Sequence, residues 1–107
     1  MPNLSERGRR LGLSLPVTVN GNDVSGAPFA ETTRTLNVSG GGICFETRRR
    51  LGPGLRLTLH VSLPEAWRGR FGGRAVYRVR AVVCRVERLE GEGVSRVGAR
   101  FLGEAEA

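Results

Sequence analysis

Hydrophobic and polar residues alternate along most of this chain. Leu13, Leu15, Val17 and Val19 are separated by Ser14, Pro16, Thr18 and Asn20. A period of two over eight residues marks a strand with one face buried and the other in solvent. Pro16 has no N–H to give a ladder, so its donor side is expected at an edge or in open water. Asn20-Gly21-Asn22-Asp23 and Gly26-Ala27-Pro28 carry turn chemistry and predict a loop over 20–28. Phe29 to Val38 is rich in threonine and reads as a second strand. Ile43 to Glu46 reads as a short third one. After the turn Gly52-Pro53-Gly54, Leu55, Leu57, Leu59, Val61 and Leu63 alternate with Arg56, Thr58, His60 and Ser62, the cleanest strand pattern in the chain.

Residues 64–75 are different. Pro64 ends the strand, and three glycines argue against a long helix. Trp67 and Phe71 are expected to pin this loop over the core, or else to face a partner. In the long strand Val76 to Val86 the apolar phase slips. Tyr77, Val79 and Ala81 mark one face, then Val82, Cys84 and Val86 the other, which predicts a β-bulge near Arg80–Val82. Glu90-Gly91-Glu92-Gly93 is a hairpin-like turn, and Val97, Ala99 and Phe101 alternate with Arg96, Gly98 and Arg100 in a last strand. Six strands at short spacing with little helix predict an all-β antiparallel barrel or sandwich. Residues 13–103 form the expected domain, and 1–12 a flexible arm carrying Arg7, Arg9 and Arg10.

The stretch Leu36-Asn37-Val38-Ser39-Gly40-Gly41-Gly42-Ile43-Cys44-Phe45 stands apart from this alternation. Glycines can take positive φ and let another group approach the main chain. Exposed N–H groups in such a turn can form an anion-binding nest, with Asn37 and Ser39 adding side-chain hydrogen bonds at the rim. A plain turn between two strands accounts for the same residues.

Composition narrows the function. The net charge is +7, and all 17 basic residues are arginine. Arginine offers a planar fork for phosphate and guanine that lysine cannot reproduce. A codon usage rich in G and C would also produce arginine without lysine. Cys44 and Cys84 lie in apolar runs and are expected as small buried hydrophobes. Residues 1–10 contain no apolar signal segment, and no stretch approaches the ~20 apolar residues of a membrane span. These features lead us to expect a cytoplasmic protein without membrane insertion.

Catalysis finds little support. There is one histidine, on the polar face of its strand, and the single aspartate lies in a loop, so no Ser-His-Asp set assembles. A phosphate-binding P-loop needs a lysine that the chain lacks. Two cysteines forty positions apart and one histidine do not make a zinc site. We therefore expect neither an enzyme, nor a metal centre, nor a cofactor. Positive charge is compatible with nucleic acid, but aromatic residues are only 6%, which supplies few stacking platforms and argues against it.

Three features together resemble a PilZ domain: an Arg-rich arm before an alternating first strand, an Asn-x-Ser-x-x-Gly turn after the second, and a later Val-Gly-Ala-Arg-Phe strand. The resemblance covers roughly residues 6–102. It implies a six-stranded antiparallel barrel, here with a short or absent C-terminal helix. It also implies a site for cyclic di-GMP, a bacterial second messenger, built from an RxxxR motif on the arm and a [DN]xSxxG motif in the barrel. Asn37, Ser39 and Gly42 match the second motif. The first departs from its pattern: Glu6 stands where the first arginine belongs, and Arg7-x-x-Arg10 is one residue short. The resemblance thus implies a ligand clamped by Arg7, Arg9 and Arg10 against Asn37, Ser39, Gly41 and Gly42. Its alternative is an adaptor that binds a downstream protein effector without nucleotide, with Trp67 and Phe71 as anchors.

Overall fold

A computed structural model describes residues 14–69, 72–91 and 93–105. Six strands and one helical turn follow in order: β1 (Pro16–Asn22), β2 (Pro28–Val38), β3 (Gly42–Thr47), β4 (Arg56–Ser62), α1 (Glu65–Arg68), β5 (Val76–Leu89) and β6 (Val94–Glu104). All pairings are antiparallel, and the strands close into a barrel in the order β1-β2-β3-β6-β5-β4. The expected six-stranded barrel is therefore present. Among the described residues no helix follows β6.

The alternation explains the core. Val17, Val19, Ile43, Phe45, Leu59, Val79, Val83 and Val97 are each almost fully buried, and they come from β1, β3, β4, β5 and β6. Every second residue of these strands points inward, so branched side chains fill the barrel while their neighbours meet solvent. Burying one such side chain contributes about 1.5–3 kcal/mol. On β2 the inward positions are more polar. Thr35 is 1% exposed, and its hydroxyl accepts the Leu15 amide at 2.9 Å.

Several local expectations need correction. β1 runs on to Asn22, because Asn20, Gly21 and Asn22 pair with Ala30, Phe29 and Pro28; the loop begins only at Asp23. Closure leaves β1 without a free edge. Pro16 is accommodated as the first residue of its strand, one position before the pairing with β4 starts at Val17. The segment 64–75 holds a single helical turn with Trp67 half-buried, while Phe71 lies outside the described residues.

The register of β5 shifts between Arg80 and Ala81, where a bulge was expected, but the side chains change face later, at Cys84. Val83 still points into the core, and the extra residue is Cys84, between the pairs Val83↔Ala99 and Arg85↔Gly98. The shift between Arg80 and Ala81 has its extra residue on β6 at Leu102. Cys84 follows the inward Val83 and so points outward, exposed rather than buried. Cys44 is buried as expected, but it alternates with the core residues Ile43 and Phe45 and so belongs to the outer wall.

Candidate functional site

The turn after β2 begins with another irregularity. Thr35 pairs with Phe45 and Asn37 with Cys44, so Leu36 is the extra residue, 39% exposed. Removing Leu36 from the ladder brings Asn37 onto the outer wall, half-buried beside Cys44.

Ser39 then builds the turn from within. Its amide donates to the Gly42 carbonyl at 2.9 Å. Its hydroxyl oxygen accepts the Gly41 and Gly42 amides at 3.3 and 3.2 Å. These two N–H groups are thus satisfied inside the turn and do not form an open nest. The expectation of positive φ also fails for Gly41 and Gly42. Gly42 is required for space: a Cβ there would lie 2.6 Å from the Ala99 carbonyl oxygen on β6. The Phe101 amide donates to the Gly41 carbonyl at 2.9 Å and straps the turn onto β6.

A groove of about 520 Å³ opens beside this turn. Ser39, Gly41 and Gly42 line one side, Cys84 and Arg85 of β5 the other, and Gly98, Ala99 and Arg100 of β6 run between them. The strand register explains the shape. Asn37, Cys44, Gly98 and Arg85 form one row across β2, β3, β6 and β5 of the outer wall. Gly42, Arg100 and Val82 form the next. Glycine at 42 and 98 leaves two places in these rows without side chains, and the hollow follows from that.

The groove is basic. No carboxylate lines it, and neither the Arg85 nor the Arg100 guanidinium has an ion pair or hydrogen bond among the described residues. Nearby carboxylates are engaged elsewhere: Glu46 and Glu87 both face Arg96, at 3.7 and 3.8 Å. One strand spacing and two residues separate the two arginines, or ~8 Å between Cα atoms. Both side chains are exposed, where water screens their mutual repulsion, so the fold can carry them without a counter-charge.

Of the residues expected at the site, Ser39, Gly41 and Gly42 line the groove, and Asn37 shares a row with its floor. Arg7, Arg9 and Arg10 lie outside the described residues. The chain enters the barrel close to the turn. Leu15 and Thr35 exchange backbone and hydroxyl hydrogen bonds, and the Arg34 guanidinium donates to the Ser14 hydroxyl and carbonyl, both at 2.7 Å. Arg85, Gly98, Arg100 and Cys84 were not expected here. The Val-Gly-Ala-Arg-Phe run pointed to β6, but nothing local in the sequence places β6 against β3.

Among the described residues no cluster of side chains could hold a metal ion, and no helix is long and apolar enough to cross a membrane. No curated protein matches the chain at a significant level. Solved structures share its fold. Bacillus subtilis MotI/DgrA, an inhibitor of motility, gives a TM-score of 0.70 at 18% identity, over 98% of this chain and 45% of its own. MrkH of K. pneumonia in its apo state gives 0.63 at 15% identity, over 94% and 44%. The PilZ domain of Escherichia coli YcgR, solved with c-di-GMP, gives 0.54 at 18% identity, over 91% and 79%. The chain thus spans less than half the length of MotI and MrkH. The sequence profile of the PilZ domain matches residues 4–107, nearly the whole chain. A match of that extent, on a closed six-stranded barrel, means that this chain belongs to the PilZ domain family.

Proposed function

We propose that this chain is a cyclic di-GMP receptor domain rather than an enzyme, with the ligand in the groove beside the Ser39–Gly42 turn. The observation that carries the reading is a glycine-floored basic groove opening on an intact Asn-x-Ser-x-x-Gly turn. Cyclic di-GMP presents two phosphates and two guanine edges, and arginine forks bond bidentately to either. The YcgR structure holds this ligand on the same fold, which supports the assignment.

In this reading Asn37 and the turn hold the ligand on the barrel wall, and Arg7, Arg9 and Arg10 close on it from the arm. Arg10 is four residues before Ser14, where Arg34 ties the chain to β2. Micromolar affinity corresponds to about −8 kcal/mol, more than one bidentate contact of about 1–3 kcal/mol supplies. Several contacts must therefore share the ligand. Ordering the arm costs roughly 1–2 kcal/mol per residue, and this would make its position a ligand-dependent signal to a protein effector.

Isothermal calorimetry with cyclic di-GMP tests the reading. We expect saturable binding in the micromolar range, weakened by Arg10→Ala. Absence of heat with folded protein at tens of micromolar ligand would favour the second reading, a nucleotide-independent adaptor, to which Glu6 at the first-arginine position points.

A further inference from the structure

We propose that Arg85 and Arg100, carried by the barrel, supply the guanidinium contacts that the arm's altered motif withholds. The inference rests on the receptor reading above and assigns part of the ligand's recognition to the opposite wall of the groove. Glu6 occupies the first-arginine position of the arm, so the arm holds one positive charge fewer at that place and adds a negative one. On the barrel side, both arginines are exposed and line the groove.

Their placement is built in. Arg100 pairs with Gly42, and Arg85 with Gly98, so each stands on the outer wall next to a position without a side chain. The Arg85 side chain lies across Gly98: a Cβ on Gly98 would be 4.0 Å from both its Cβ and its Nη2. Its guanidinium thus lies over the groove floor, with no partner among the described residues competing for its donors. The bulge at Cys84 sets this geometry: strict alternation from the inward Val83 would turn Arg85 inward, but the extra residue lets Arg85 pair with Gly98 on the outer wall. A ligand with two phosphates and two guanine edges can engage both of these forks.

Calorimetry on folded wild type, Arg85→Ala, Arg100→Ala and, as a control outside the groove, Arg78→Ala tests this. We expect each groove variant to lose about ten- to hundredfold in affinity and Arg78→Ala to keep wild-type affinity. Arg85→Lys, which keeps the charge but not the fork, should recover only part of the loss. Far-UV circular dichroism on each variant confirms the fold. If wild type binds and both groove variants bind equally well, this inference is overturned while the receptor reading stands. If wild type itself does not bind, both fall.

Discussion

A side chain at Gly42 would begin 2.6 Å from the carbonyl oxygen of Ala99, closer than real Cβ atoms approach. The blocking atom is backbone in a buried ladder, so it has little freedom to give. Gly42→Ala is therefore expected to destabilise the barrel by about 1–3 kcal/mol, read as a lower urea midpoint. An unchanged midpoint would mean that β3 and β6 separate more easily than their register suggests.

Gly98 should behave in the opposite way. It sits on the outer wall, and a Cβ added there would meet nothing closer than the Arg85 side chain at 4.0 Å. Gly98→Val adds a β-branched residue to a strand and is expected to leave stability unchanged or slightly raised. The same isopropyl group occupies the groove, so cyclic di-GMP affinity should drop at least tenfold. The pair of variants at 42 and 98 thus separates damage to the fold from damage to the site.

Ser39 has a structural duty that its place in the motif conceals. Its hydroxyl accepts two turn amides, and it is 6% exposed. Ser39→Ala leaves those amides unsatisfied, with an expected loss of about 1–3 kcal/mol in a denaturant titration. Ligand affinity should fall as a consequence of a loosened turn. A variant of full stability and lost affinity would instead give Ser39 a direct ligand contact.

Cys84 reports on occupancy without any substitution. It is exposed at the groove, whereas Cys44 is buried. A thiol reagent should modify Cys84 quickly and Cys44 only after unfolding. Saturating cyclic di-GMP is expected to slow the fast phase several-fold. Unaltered kinetics in the presence of bound ligand would place the nucleotide elsewhere.

At the far end of the barrel, Asp23 organises the β1–β2 loop. Its carboxylate accepts the Ser25 hydroxyl at 2.6 Å, the Ser25 amide at 2.8 Å and the Ala27 amide at 3.1 Å. The Ser25 hydroxyl is the main cause that holds its pKa below the ordinary value. A depressed carboxylate adds stability above the unfolded pKa of about 3.9 and loses it as pH falls through the lower folded value. In a solvated loop the group adds little, so the expected signature is a low Asp23 titration midpoint by NMR that Ser25→Ala moves upward.

The alternation of residues determined, with no other information, that Val17, Val19, Leu57, Leu59 and Val61 face a core and that the chain is made of short antiparallel strands. A period of two leaves only one way for each strand to be amphipathic, and that constraint is local. The Asn37-x-Ser39-x-x-Gly42 turn was legible too, but as a binding motif only through its resemblance to the PilZ family. Tertiary pairing alone decided the rest. Closure in the order β1-β2-β3-β6-β5-β4 brings Gly42 beside Arg100, 58 positions later in the chain. The bulge residues Leu36 and Cys84 are set by registers between strands far apart in sequence, and a slip of one residue exchanges inside for outside. For that reason Cys84 read as core and emerged on the surface, and Arg85 and Arg100 became walls of a groove that no single segment encodes.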